Sequence, residues 1–260
     1  MTHRLSRGNH RNLAAFTLVE LLVTVTIIAI LVTITMSGWR AYRGFATGAN
    51  CSSNLRQLSA AVNMYVNDNN GYFPPYVVNG KGDKKGQRTW FFGHESTKAG
   101  TAEGDRDLDK TAGPLYPYIQ EVGKIEVCQG FNYEGALWKE KFKGASYGYG
   151  YNWLLGGRSG GAPMHVSQVR SAAKVILFGD CGQVNTFQQP ASPSKPMIEE
   201  FYILSETENT AHFRHNGSAN MLFVDGHVES FKPYPGSTDT RIKGETVGRI
   251  AAKGDTTYFK

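Results

Sequence analysis

Between Leu21 and Trp39 the chain carries no charged residue. A stretch this long, built mostly of Leu, Val, Ile and Thr, satisfies its own backbone as a helix and approaches the roughly 20 residues that cross a bilayer. Arg40 and Arg43 close it. At its start stands Glu20, a carboxylate beside otherwise uncharged sequence. An acid at the centre of a membrane helix costs roughly 2.5–3.5 kcal/mol, and less near an end. Such an acid takes a partner or snorkels to the headgroups, and the residues alone leave both open.

The residues before it narrow the reading. Positions 1–15, "MTHRLSRGNHRNLAA", are polar, with Arg4, Arg7 and Arg11 and no acid. A secretory signal shares the basic start, but its apolar core is shorter and ends at a small-residue cleavage site. Here no A-x-A-like triplet follows the run, and the small residues Ala14 and Ala15 precede it. The arginines favour a cytoplasmic amino terminus, a bias that Arg40 and Arg43 weaken.

"AAFTLVELL" (residues 14–22) resembles the processing site of type IV prepilins and of type II secretion pseudopilins. The resemblance implies a prepilin peptidase that cuts between Ala15 and Phe16 and methylates the new amine of Phe16. The family usually has Gly before the cut, where this chain has the also small Ala15. Glu20 would then pair with the Phe16 ammonium of a neighbouring subunit during filament assembly. Two opposite charges in low dielectric attract strongly and relieve each other of the need for water.

Further segments, "CSSNLRQL" (51–58), "NGYFPP" (70–75) and "ANMLFVDGHVESF" (219–231), resemble a bacterial pilin-like group with an H-x9-DG ending. The ending maps onto His215, Asp225 and Gly226. The resemblance implies an α+β, pilin-like fold in which a long N-terminal transmembrane helix packs on a C-terminal antiparallel β-sheet head. The expected organisation is a leader over 1–15, a helix over 16–70 with its span at about 17–39, and an extracytoplasmic head over 71–260. Of the three cysteines, Cys51, Cys128 and Cys181, an exported head permits any one bridge or none. The resemblance, which covers Cys51 and the segment around Cys128, favours that pair.

With 260 residues, 40% of them hydrophobic, the chain has enough for one soluble domain behind the anchor, or at most two. Its formal charge of +6 falls to +3 when a leader holding three arginines and no acid is removed. That excess, without a dense basic run, does not point to nucleic acid.

Past the span, Leu55, Leu58, Val62 and Tyr65 mark one apolar face of a continued helix. Gly44 and Gly48 are expected to bend or melt its start, and "DNNG" (68–71) before Pro74 and Pro75 to stop it. Residues 79–113, charged and glycine-rich around "WFF", read as an insertion or long solvated loop partly tied down by Trp90 to Phe92, and "GPLYPYI" (113–119) as a turn or short helix. "ASYGYGYNWLL" (145–155) and "KVILFGD" (174–180) read as strands. In "NMLFVDGHVESF" (220–231), Asp225-Gly226 between apolar runs predicts a two-residue type I′ hairpin pairing Val224 with His227 and Phe223 with Val228.

No catalytic constellation stands out. "GRSGG" (157–161) matches G-x-S-x-G, but Ala162-Pro163 follows it where a nucleophile elbow needs a helix. His212, His215, Asp225 and His227 are metal-ligand types without a recognised spacing. Asp180 and Asp225 could offer oxygens to calcium, though no loop has dense acidic spacing. The expectation is no enzyme, no cofactor and no metal, with prepilin peptidase, other pilin or pseudopilin subunits and the inner membrane as partners. Two functions remain: a subunit of a pseudopilus or pilus-like filament, or a monomeric membrane-anchored binding or enzymatic head. Glu20 favours the first, because a monomer gains nothing from an unpartnered intramembrane acid.

Overall fold

The computed structural model describes residues 17–82, 86–96, 101, 104–119, 125–144 and 146–260, apart from the side chains of residues 37–41, 43 and 159. The chain divides into two compact units, Met1–Tyr42 and Arg43–Lys260. Helix α1 (Leu18–Asp68) contributes residues to both.

In the first unit the stretch Leu18–Met36 has a mean hydropathy of 2.5, and none of it is buried within the protein. Thr24, Thr26, Thr33 and Thr35 each donate a hydroxyl proton to a carbonyl three or four residues earlier, at 2.7–3.0 Å. Those bonds let polar side chains face hydrocarbon without an unsatisfied donor.

In the second unit α1 buries Leu55, Leu58 and Val62 of the face its spacing predicts, with Tyr65 half-buried, and adds Cys51 and Val66. The helix stops where Asn70 and Gly71 take positive φ, 51° and 81°, just before the two prolines. Gly44 and Gly48 do not melt it: both are helical. Their role is close approach. A Cβ on Gly44 would come within 2.3 Å of Asn216 Oδ1, and one on Gly48 would touch the His215 ring at 3.6 Å.

Among the described residues thirteen short strands follow: β1 (Val77–Asn79), β2 (Arg88–Trp90), β3 (Gly93–Ser96), β4 (Asp107–Asp109), β5 (Tyr149–Asn152), β6 (Ile176–Asp180), β7 (Gln183–Asn185), β8 (Met197–Glu199), β9 (Ile203–Leu204), β10 (Ala211–His212), β11 (Ala219–Phe223), β12 (Val228–Phe231) and β13 (Val247–Gly248). The central sheet runs β12-β11-β6-β5-β9, antiparallel except for the parallel β5–β9 pair. It is covered on both sides. Leu222, Phe178, Tyr149 and Tyr151 join the core that includes α1, while Ile176, Met221 and Phe223 pack with Phe213 and Phe259. The fold is α+β and pilin-like.

Two expectations need correcting. The segment 79–113 is not a loop throughout, because β1 to β4 form an antiparallel meander there. Trp90, Phe91 and Phe92 anchor it in the core, which pulls the charged flanks into register. "GPLYPYI" holds one 3-10 turn, Tyr116–Tyr118.

The hairpin also differs. Leu222, not Phe223, pairs with Val228. Phe223 N–H donates to the His227 carbonyl and Gly226 N–H to the Phe223 carbonyl, both at 2.9 Å. Val224, Asp225 and Gly226 thus make a three-residue loop, and only Gly226 has positive φ, 93°. A type I′ turn needs positive φ twice, whereas a three-residue loop needs one left-handed residue, and glycine takes that place. The nearest atom to a Cβ at Gly226 is Ser59 Oγ at 3.4 Å, so a substitution there meets backbone strain, not a clash. Gly226→Val is expected to destabilise the protein by roughly 1 kcal/mol or more. A thermal melt would register this as a drop of about 2–4 °C; an unchanged melting temperature would mean the loop tolerates a side chain there.

Candidate functional site

Ala15 and Phe16 lie outside the described residues. Immediately after them the helix start is well defined. Glu20 Oε2 accepts from the backbone N–H of Thr17 at 2.9 Å and from its hydroxyl at 2.8 Å, while Glu20 N–H donates back to Thr17 Oγ1 at 3.2 Å. This reciprocal pair is a capping box, which satisfies two of the donors a helix start leaves open. The acid therefore has a partner within its own chain. Its position also suits the positive end of the helix dipole. Sequence reasoning passes over this role for Glu20, although the signature T-x-x-E ahead of an apolar run announces it.

The second cluster lies in the head. Cys51 and Cys128 form a disulfide. His215 Nε2 lies 3.4 Å from Cys128 Sγ and 3.2 Å from Asp180 Oδ2. The same Asp180 oxygen accepts the backbone N–H of Asn220 at 2.7 Å, and Oδ1 accepts from Arg214 Nη2 at 3.0 Å. Arg214 also donates to the Cys181 carbonyl at 3.1 Å and to the Gly148 carbonyl, and its guanidinium lies 5.0 Å from the centre of the Phe131 ring. Burial alone would push the Asp180 carboxyl up; Arg214, His215 and the Asn220 N–H outweigh it and hold the carboxyl below its ordinary range. Asn220 Nδ2 donates to the Gly48 carbonyl of α1 at 3.2 Å. Helix, disulfide and sheet thus meet on one buried carboxylate.

The four metal-ligand candidates are not brought together. His212 bonds Glu245 at 2.8 Å, His215 bonds Asp180, and Asp225 bonds His227 Nδ1 at 2.6 Å. His215 reaches Asp180 and not Asp225, because Asp225 is turned to its own loop and also caps the His227 N–H at 3.1 Å. Asp180 and Asp225, the calcium candidates, belong to these two separate networks. Potential ligand atoms of Cys51, Cys128, Asp180 and His215 do lie within 4.8 Å of one another. With both sulfurs in the disulfide, that set keeps only the His–Asp pair. "GRSGG" is likewise no elbow, since it forms a 3-10 turn, Arg158–Gly160.

Burial pushes the Cys181 thiol up to about 12, so it is not a ready nucleophile. Non-reducing peptide mapping is expected to join the Cys51 and Cys128 peptides and leave Cys181 free; a bridged Cys181 or three free thiols would contradict it.

The family model described as the prokaryotic N-terminal methylation motif matches residues 10–36. The chain has a prepilin-type amino terminus. The match takes in Ala15, Phe16 and Glu20 and the whole apolar stretch Leu18–Met36, so a prepilin-type, membrane-anchored, export-processed protein is the reading these residues support. The head lies beyond the motif. No curated protein and no solved structure matches the chain.

Proposed function

We propose that this prepilin-type protein is a structural, non-enzymatic subunit of a type II secretion pseudopilus or type IV pilus-like filament. The observation that carries the reading is the methylation motif over residues 10–36, set on an apolar helix. Prepilin peptidase removes residues 1–15 and methylates Phe16. The helix holds the subunit in the inner membrane with its head outside the cytoplasm until homo- or hetero-polymerisation extracts it. The H-x9-DG residues His215, Asp225 and Gly226 serve the architecture of the head.

One observation favours the alternative of a monomeric anchored head. Because Thr17 caps Glu20 within the chain, the acid no longer demands a second subunit. Mass spectrometry of the protein from its native membranes is expected to find N-methyl-phenylalanine from Phe16 at the amino terminus. An intact leader sinks the assignment, and cleavage after the apolar run makes the protein an ordinary secreted one.

A further inference from the structure

Beside the strand pair β7–β8 a lysine, an asparagine and a glutamate meet in the interior, and no part of the filament reading uses them. The Lys139 and Glu199 side chains are 1% and 0% exposed. Glu199 Oε2 accepts from Lys139 Nζ at 2.7 Å and from Asn185 Nδ2 at 3.0 Å. The Asn185 carbonyl oxygen accepts two backbone N–H groups, those of Phe187 and Gln188, each at 3.0 Å. We infer that Lys139 and Asn185 join in an intramolecular isopeptide bond whose formation is served by Glu199.

Each part of the chemistry has a residue. An amine attacking an amide needs a base for its proton, a donor pair for the oxygen that gains charge, and an acid for the departing nitrogen. Glu199 takes a proton from Lys139 Nζ, and the freed lone pair attacks Asn185 Cγ. The two backbone N–H groups on Oδ1 stabilise the tetrahedral oxyanion. Glu199 then returns the proton to Nδ2, the C–N bond of the side-chain amide breaks and ammonia leaves, and Nζ, which still carries two hydrogens, gives one to the Glu199 carboxylate as Nζ–Cγ becomes the new amide. No oxidant, reductant or cofactor enters. Holding nucleophile and amide on one carboxylate oxygen, away from water, gives the slow reaction its effective concentration.

The backbone sets up the encounter. Segment 137–139 runs along one side of β8, with Lys139 N–H donating to the Ile198 carbonyl and Ile198 N–H to the Leu137 carbonyl, both at 2.8 Å. β7 lies on the other side, placing Gln183 opposite Glu199 and Asn185 opposite Met197. Lys139 lies level with Glu199 and Asn185 level with Met197, two residues along, so the two flank β8 and their side chains converge on the Glu199 carboxylate. Lys141 sits on the other oxygen, Oε1, at 3.0 Å, whereas Lys139 shares Oε2 with the Asn185 amide, which makes Lys139 the nucleophile.

The full chain, purified in detergent, reduced and denatured, is expected to weigh less than its sequence by one ammonia, with events at the amino terminus read separately from the N-terminal peptide. Tandem mass spectrometry should find the Lys139 and Asn185 peptides covalently joined. Lys139→Met and Glu199→Ala should each restore the ammonia, while Lys141→Met should keep the link. The wild-type measurement stands even if a variant folds poorly. An uncrosslinked wild type, or a link made from Lys141, overturns the inference; complete linkage in Glu199→Ala overturns the role given to the carboxylate.

Discussion

Glu20→Ala and Glu20→Gln are both expected to reduce filament assembly to background while leaving cleavage at Ala15–Phe16 and membrane insertion intact. The alanine variant alone decides little, since it removes two things at once. It deletes the charge proposed to meet the Phe16 ammonium, and it deletes the acceptor that caps Thr17, a loss of about 1 kcal/mol for an ordinary cap. Glutamine separates them. Its carbonyl oxygen can still accept from the Thr17 N–H and hydroxyl, as glutamine does in natural capping boxes, but it carries no charge. Both substitutions ease insertion, so lost assembly would not come from a badly seated helix. Electron microscopy of sheared filaments, with blotting for the processed subunit, reads the outcome. A glutamine variant that assembles like wild type would mean Glu20 acts as a cap, and the monomeric reading would gain accordingly.

Asp180→Ala is expected to cost the head about 3–5 kcal/mol, the range for removing one partner of a buried ion pair. The side chains of Asp180 and Arg214 are 0% and 2% exposed, so the guanidinium left behind cannot recover water in place. The loss also strips an acceptor from the Asn220 N–H and from His215. The melting temperature of a domain this size should then fall by about 10 °C or more. The same contacts fix the sign of a pH effect. Because the folded carboxyl lies below its ordinary value, its contribution is complete above the unfolded carboxylate range of about 4 and is lost as pH falls through the folded value. The variant should therefore lose less stability than wild type on acidification. A drop within about 1 kcal/mol would show that Arg214 finds other partners and that the carboxylate is not the centre of the network.

Much of this architecture is legible from local pattern. The apolar run, the Leu55–Leu58–Val62 face and the strand "KVILFGD" each carry periodicity that survives tertiary context, and the structure places a span, a core helix face and β6 there. The meander β1 to β4 is hidden because its residues are charged, and only Trp90 to Phe92 betray what holds it. The hairpin is visible but its register is not: Asp-Gly fits a two-residue loop and a three-residue loop equally well, and pairing with β6 decides between them. The head cluster cannot be read from spacing at all, since Asp180, Arg214 and Asn220 come from different strands and turns. Its one signal is an acid closing a buried apolar strand, which must find a cation nearby. In sequence Asp180 offers an oxygen to calcium but lacks the acidic spacing of a binding loop, and the cation it finds is Arg214, the residue next to His215.

The disulfide bears on how the head meets mechanical load. In the proposed filament role the subunit is pulled through its N-terminal helix, and such a force would ordinarily shear the helix off the sheet one contact at a time. Cys51 ties that helix to Cys128, across a sequence separation of 77. Tension arriving along α1 thus leaves the helix at Cys51 through a covalent link, and the buried Leu55, Leu58, Val62 and Val66 lie beyond that point, shielded from the pull. The force path ahead of the clip includes the bonds from Asn220 Nδ2 to the Gly48 carbonyl and from Asn50 Nδ2 to Gln129 Oε1. Stretching would loosen that short section first and then halt at the sulfur bridge.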